Sequence, residues 1–389
     1  MRRYTSEVPL FAGFLRALSL LAVLMITACG GGGGGGATPE PLSPPASPPP
    51  PPPAPPASLA IADYTVISLA GGRGGEDGAL ASDINNLGQI VGTTNPTFGS
   101  VTFITSQDVA VLWTISGSEL AMTQSLGTLT GGSLSRATAV NDVGQVVGWS
   151  SDGSTRRPFV WTAGSGMVDL GIPPSFPAAI ANDINDSGQI VGAIFPTVDG
   201  TWDPWFSSRF MVWIVDQNGK PTAELDLGTF GGENAAAFGN NSLGNVAGTS
   251  YRDESDGGRG VGLVWAEPNN VVELDNYTEI IAINDFGEIA GNYDTQDQGF
   301  YWSPDDGFVD IPEGIPSDLN NSRQVVGTTL IGSPSAFIWE DGETKALPPP
   351  PVTEIGWQAY HATAINEAGW VVGYSTPDWQ AILWVPNSP

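Results

Sequence analysis

Lysine is almost missing from this 389-residue chain. Only Lys220 and Lys345 occur, and Lys and Arg together number 13 against 41 Asp and Glu, for a formal net charge of −28. Nucleic acid and anionic lipid are held by cations that neutralise phosphate, so a chain of this sign is expected to bind neither through its folded part. Cys29 is the only cysteine, which excludes an intramolecular disulfide, and His361 is the only histidine, which excludes a metal centre built from Cys and His. Glycine and proline are abundant instead, at 51 and 33 residues, and part of that supply is concentrated near the start of the chain.

Met1-Arg2-Arg3 and Arg16 precede a mostly apolar run, Ala17–Ala28, in the charge-then-apolar order of an export signal. The run is too short to span a bilayer as a mature helix. It stops at Ile26-Thr27-Ala28-Cys29-Gly30, which resembles a bacterial lipobox, with Ile26 where Leu is preferred and Cys29 as the residue that is lipidated. The competing reading of Cys29 is a leftover thiol in a cleaved signal. Gly30–Gly36 is unbroken glycine and Thr38–Ala57 is mostly proline, so a flexible coil leads into a stiff extended segment. At ~3.1 Å per residue, roughly 20 such positions reach about 60 Å, the length of a stalk. Gly30 after the Cys resembles the class directed to the outer membrane, and a periplasmic spacer is the plainer alternative. The expected organisation is a signal peptide over 1–28, a lipidated Cys and Gly/Pro linker over 29–57, and one folded domain over 58–389.

That domain repeats a nine-residue pattern: usually an apolar residue, Asn, two variable positions, Gly, one residue, two apolar residues and Gly. It first reads Ile84-Asn85-Asn86-Leu87-Gly88-Gln89-Ile90-Val91-Gly92, and the Asn returns as Asn141, Asn185, Asn241, Asn284, Asn320 and Asn366, at intervals of 36 to 56 residues. An apolar strand ending in Trp follows each copy, at Trp113, Trp161, Trp213, Trp265, Trp302, Trp339 and Trp384. Asn at the first turn position bonds the backbone ahead of it, and Gly at the fourth accepts positive φ. Arg323 replaces that Gly in the sixth copy, at a cost on the order of 1 kcal/mol. Each of the first six copies supplies four short strands, as in Ala137–Asn141, Gln145–Trp149, Phe159–Trp161 and Met167–Gly171. The seventh stops at Ala381-Ile382-Leu383-Trp384 without its fourth, while Tyr64–Leu69 begins the domain as an unpartnered strand. The expected fold is therefore all-β: a seven-bladed β-propeller of four-stranded antiparallel blades, closed Velcro-fashion by the N-terminal strand.

These residues resemble the HAF repeat of bacterial extracellular proteins. The strongest carriers are Ala139–Gly148 and Asp183–Gly192, and the resemblance covers essentially residues 64–385. The His-Ala-Phe triplet that names the family is whole in no copy; Ser335-Ala336-Phe337-Ile338-Trp339 comes nearest. The resemblance implies a surface-exposed repeat protein and brings no general catalytic activity with it.

Candidate sites follow from where variation falls. The Asn turns are nearly constant, whereas connections between second and third strands differ widely in length, so one face carries the variable loops. In one such connection Trp202, Asp203, Trp205 and Phe206 place aromatic faces beside a carboxylate, which suits a glycan or a cation; the competing reading is a capped blade rim. Asp253, Glu254 and Asp256 gather oxygen ligands in a glycine-bounded loop, a candidate calcium site whose spacing matches no defined metal loop. Asp83, Asp183 and Asp318 stand two places before their Asn, where three acids around the axis are a further candidate for one cation, or else bind backbone donors at a strand end. Asp183–Gly188 starts like an EF-hand, but its twelfth position is Ile194, not a bidentate Glu.

No glycine-flanked serine elbow accompanies His361, and its plain reading is a polar loop residue. The repeated tryptophans read as packing between blades. The expected role is thus non-catalytic: a monomeric, surface-displayed binding or scaffold protein. It would recognise an unknown ligand, whether glycan, protein or cation, and touch the membrane only through its lipid anchor. The alternative is a carbohydrate-active propeller enzyme, a glycosidase or lyase, using loop carboxylates.

Overall fold

The structure is a computed structural model that describes residues 64–70, 78–94, 108–117, 119–196, 208–232, 234–251, 260–267, 270–276, 278–293, 298–330, 332–350, 358–377 and 379–387. These residues form 28 strands, and there is no helix among them. Five sheets are four-stranded and antiparallel. A sixth has eight strands, being two such groups that touch through one parallel contact between Ala178 and Arg156. One sheet departs from chain order. Its strand Tyr64–Ala70 lies outside Ala381–Pro386, with Val66 opposite Trp384 and Ile67 opposite Leu383.

Composition changes across each group of four. The first strand, Ala79–Ile84 in the first copy, is buried throughout and rich in small side chains, and Ala178–Ile184 and Ala359–Ile365 are buried except at Asp183 and Tyr360. Small residues let neighbouring groups approach closely on both sides. The fourth strand is largely exposed, as in Glu119–Gly127 and Pro221–Gly228, and its polar residues keep the open edge from recruiting other chains. The third strand carries the main apolar load. Trp113, Trp213 and Trp384 are fully buried. Trp213 packs on Val147 and Val160 of the preceding copy, Trp384 on Val326 and Ile338, and Trp113 on Val372 and Leu383 of the last copy.

Every first strand carries a bulge three residues before its Asn, at Ala81/Asp83, Ala137/Ala139, Ala181/Asp183 and the four matching places. The extra residue pushes the first strand against the final Gly of the motif. A Cβ on Gly92, Gly148, Gly192, Gly327 or Gly373 would collide with a first-strand carbonyl oxygen. That Gly is therefore fixed by close backbone approach and not by a turn.

Candidate functional site

The Asn turn is built as its residue types require. In the first copy Asn85 Oδ1 accepts from the Leu87 and Gln89 backbone N–H groups at 3.0 and 2.9 Å, and Gly88 has φ +74°. The Asn85 amide group donates to Gln89 Oε1 at 2.7 Å and to the backbone oxygen of Asn141 in the next copy at 2.9 Å. The second donation recurs at every turn: Asn141 to Asn185 at 3.0 Å, Asn185 to Asn241 at 3.1 Å, Asn241 to Asn284 at 2.9 Å, Asn284 to Asn320 at 3.2 Å and Asn320 to Asn366 at 3.1 Å. Asn366 then donates to the Asn85 oxygen at 3.1 Å. The seven side chains form a circuit with no beginning.

Around the same opening, the residue after each Asn makes a second ring. Asn86 N–H donates to Asp142 at 2.8 Å, Asp142 to Asp186 at 2.8 Å, Ser242 to Asp285 at 2.8 Å, Asp285 to Asn321 at 2.8 Å, Asn321 to Glu367 at 3.1 Å and Glu367 to Asn86 at 2.9 Å. Ser242 is too short to accept in turn. The ring puts four carboxylates, Asp142, Asp186, Asp285 and Glu367, at the mouth of a cavity of about 210 Å³. No Lys, Arg or His is among the described residues that line it. Partial burial pushes Glu367 up to about 7, against the pull of the Asn321 N–H, and the carboxylates of Asp285, Asp318 and Asp142 push the same way. Asp186 is also raised, by partial burial and by Asp142 and Asp285. The sequence reading passed over this ring, although its signal was legible: the position after each Asn carries an acid in four copies of seven.

Asp83, Asp183 and Asp318 line the same cavity deeper in. Asp83 accepts from its neighbour Ile84 N–H at 2.6 Å and from Val140 N–H of the next copy at 2.9 Å. Asp183 does the same with Ile184 at 2.9 Å and Asn240 at 3.2 Å, and Asp318 accepts from Ile365 at 2.9 Å. The backbone-binding reading accounts for these contacts, and the backbone groups lie mainly in the adjacent copy. Among the described residues no group of three or more His, Cys, Asp or Glu is placed to hold a metal ion. Cys29, the loop residues Trp202, Asp203, Trp205 and Phe206, and the acids Asp253, Glu254 and Asp256 lie outside the described residues.

At the variable-loop end, two guanidinium groups flank one indole. Arg156 lies 4.4 Å and Arg136 5.6 Å from the Trp149 ring, and Arg136 Nε donates to the buried Asp108 at 2.9 Å. Burial and the Arg136 charge lower Arg156 to about 10. His361 occupies the position matching Arg136 in the last copy. It is not a loop residue: it sits in the strand Ala359–Ile365, buried, stacked on Tyr374 with centroids 4.8 Å apart, its Nδ1 3.3 Å from Thr328 Oγ1. Burial lowers its pKa to about 4, so the imidazole is neutral at pH 7.

No family model matches this chain, and neither does any curated protein. Solved structures do. A catalytically inactive virginiamycin B lyase from Staphylococcus aureus with quinupristin superposes with a TM-score of 0.51 at 9% identity, covering 84% of this chain and 100% of that one. A streptogramin B lyase gives 0.51 at 11%, over 84% and 98%. The acylaminoacyl peptidase of Pyrococcus horikoshii gives 0.50 at 11%, over 80% of this chain and 52% of its own, so the chain spans about half the peptidase's length. These neighbours are β-propeller-like, and at such identity the likeness carries the fold alone: the chain has an all-β, propeller-like architecture.

Proposed function

We propose that the chain is an exported, lipid-anchored HAF-type repeat protein. Its domain would be a seven-bladed propeller closed by its N-terminal strand, and it recognises a ligand through the variable-loop face without chemistry of its own. Closure is supported by contacts of one kind recurring between the first and last copies. Thr363 Oγ1 donates to Ala81 O at 3.0 Å, as Thr138 does to Ala181 O at 2.9 Å, and the Asn circuit returns from Asn366 to Asn85.

The observation that carries the functional reading is where the chain enters the domain. Tyr64, the first described residue, pairs with Pro386 and donates its hydroxyl to Gly369 O at 3.2 Å, within the last Asn turn. A stalk running to a lipidated Cys29 therefore joins at the Asn-turn end. The connections flanked by Thr94 and Asp108, Phe195 and Arg209, and Tyr251 and Gly260 start and finish at the opposite end. Display away from the membrane selects that loop face for recognition.

The test is to incubate the full chain with a glycan panel and assay both retention and product. Retention without product supports the reading. Turnover abolished by a single carboxylate substitution replaces it with a carbohydrate-active enzyme.

A further inference from the structure

The Asn-turn end carries a surface that loop-face recognition does not use. Two places after the ring Asn, three copies leave a large apolar side chain in solvent: Leu87 is 64% exposed, Val143 51% and Leu243 68%. The turn does not require them. Leu87 N–H donates to Asn85 Oδ1 at 3.0 Å, and Ala368 and Ser187 make the same bond to Asn366 and Asn185 at 3.0 and 3.1 Å. These three side chains make a partial apolar collar beside the carboxylate-lined mouth, which has no cation among the described residues that line it.

We propose that this end docks a protein segment in which basic and apolar side chains alternate. A Lys or Arg of the partner faces Asp142, Asp186, Asp285 and Glu367, and its apolar neighbours cover Leu87, Val143 and Leu243. Charge and collar together define the occupant. A second copy of this chain, itself at −28, is repelled, as are anionic lipid and nucleic acid. A free metal ion or polyamine satisfies the mouth but leaves the apolar collar in water. A basic segment with apolar flanks satisfies both, in the manner of interfaces whose buried centre is oriented by complementary charge.

The proposal is independent of the loop-face reading and has its own test. A synthetic peptide alternating Lys and Leu is titrated onto the full chain, beside peptides alternating Lys with Ser and Glu with Leu. The Lys/Leu peptide is expected to bind, more weakly as salt rises, and the Lys/Ser and Glu/Leu peptides to bind about tenfold more weakly or worse. Replacing the collar (L87S/V143S/L243S) and replacing two mouth charges (D142N/E367Q) are each expected to weaken the Lys/Leu peptide by about tenfold. The collar side chains face solvent, so their serine variant keeps the wild-type melting midpoint, and it decides the matter should the charge variant melt early. Equal binding of Lys/Leu and Lys/Ser peptides, or full affinity in the collar variant, overturns the proposal.

Discussion

Arg323 reaches across from one repeat to the next, its Nη2 2.8 Å from Oε1 of the buried Glu288. In other copies the equivalent neighbours are a turn Gly and a Gln: Gly144 faces Gln89, Gly244 faces Gln189 and Gly369 faces Gln324. Two departures from the repeat thus compensate each other. Arg323 holds φ at +64°, an unfavourable conformation for a side chain, and its guanidinium supplies the cation for a buried carboxylate whose other oxygen accepts from Asn284 Nδ2 at 2.7 Å.

Arg323→Gly removes backbone strain of about 1 kcal/mol but leaves Glu288 without its cation, and is expected to destabilise by a net ~1–3 kcal/mol. Glu288→Gln strands Arg323 in strained backbone and is also expected to destabilise. The double variant restores the common Gly–Gln arrangement and is expected to recover wild-type stability or exceed it. Urea unfolding of all four proteins checks this. Additive losses in the double variant would show that the pair is incidental.

Asn141 makes three side-chain hydrogen bonds: its amide donates to Gln145 Oε1 at 2.8 Å and Asn185 O at 3.0 Å, and its Oδ1 accepts from Gln145 N–H at 2.8 Å. Asn141→Asp keeps the acceptor but turns both donors into oxygens that face oxygens. It is expected to cost more than Asn141→Ala, which removes the side chain and its repulsion, and both are expected to cost about 1–3 kcal/mol or more. A melting midpoint that is lower for the Ala variant than for the Asp variant would contradict this account.

The strand count per copy, the positive φ at the turn glycines and the packing role of the tryptophans were legible, because each depends on residue type at a fixed offset. The circuit itself was not. Sequence shows that Asn85 can bind the backbone ahead of it, but its reach to Asn141 O depends on how closely two copies approach, a distance fixed by tertiary packing and not by residue type at one offset. The mouth ring was missed for a different reason. Asp142, Asp186, Asp285 and Glu367 sit among Asn86, Ser242 and Asn321, so the position looks variable until their shared acceptor role is visible. His361 misled because the Tyr374 ring that covers it belongs to the next strand and is not adjacent in sequence.

Asp83 separates the two readings of the axial acids. If its work is to accept from Ile84 and Val140, Asp83→Ala is expected to destabilise by about 1–3 kcal/mol, with Asp83→Asn between it and the wild type. The deficit is expected to be equal in calcium and in chelator. A wild-type midpoint that rises with calcium while the Ala variant's does not would assign Asp83 to a cation instead.

Two groups shape the pH dependence in opposite directions. Glu367 has its folded pKa raised from 4.5 to about 7, so between those values the unfolded chain has released a proton that the folded chain keeps, and stability falls as pH rises through the window. His361 has its folded pKa lowered from 6.5 to about 4, so across that interval the unfolded chain takes up a proton that the folded chain refuses, and stability falls as pH drops. Glu367 is exposed along much of its length, so its contribution is the smaller of the two. Melting midpoints taken from pH 4 to 8 are expected to show Glu367→Gln gaining on the wild type towards the alkaline end, and His361→Gln gaining on it towards the acid end, whatever uniform offset each substitution adds. Loss of the Tyr374 stacking lowers the His361→Gln curve at every pH alike, so only its slope bears on the titration. Parallel curves for the wild type and His361→Gln below pH 6.5 would mean that the imidazole protonates as readily in the fold as outside it.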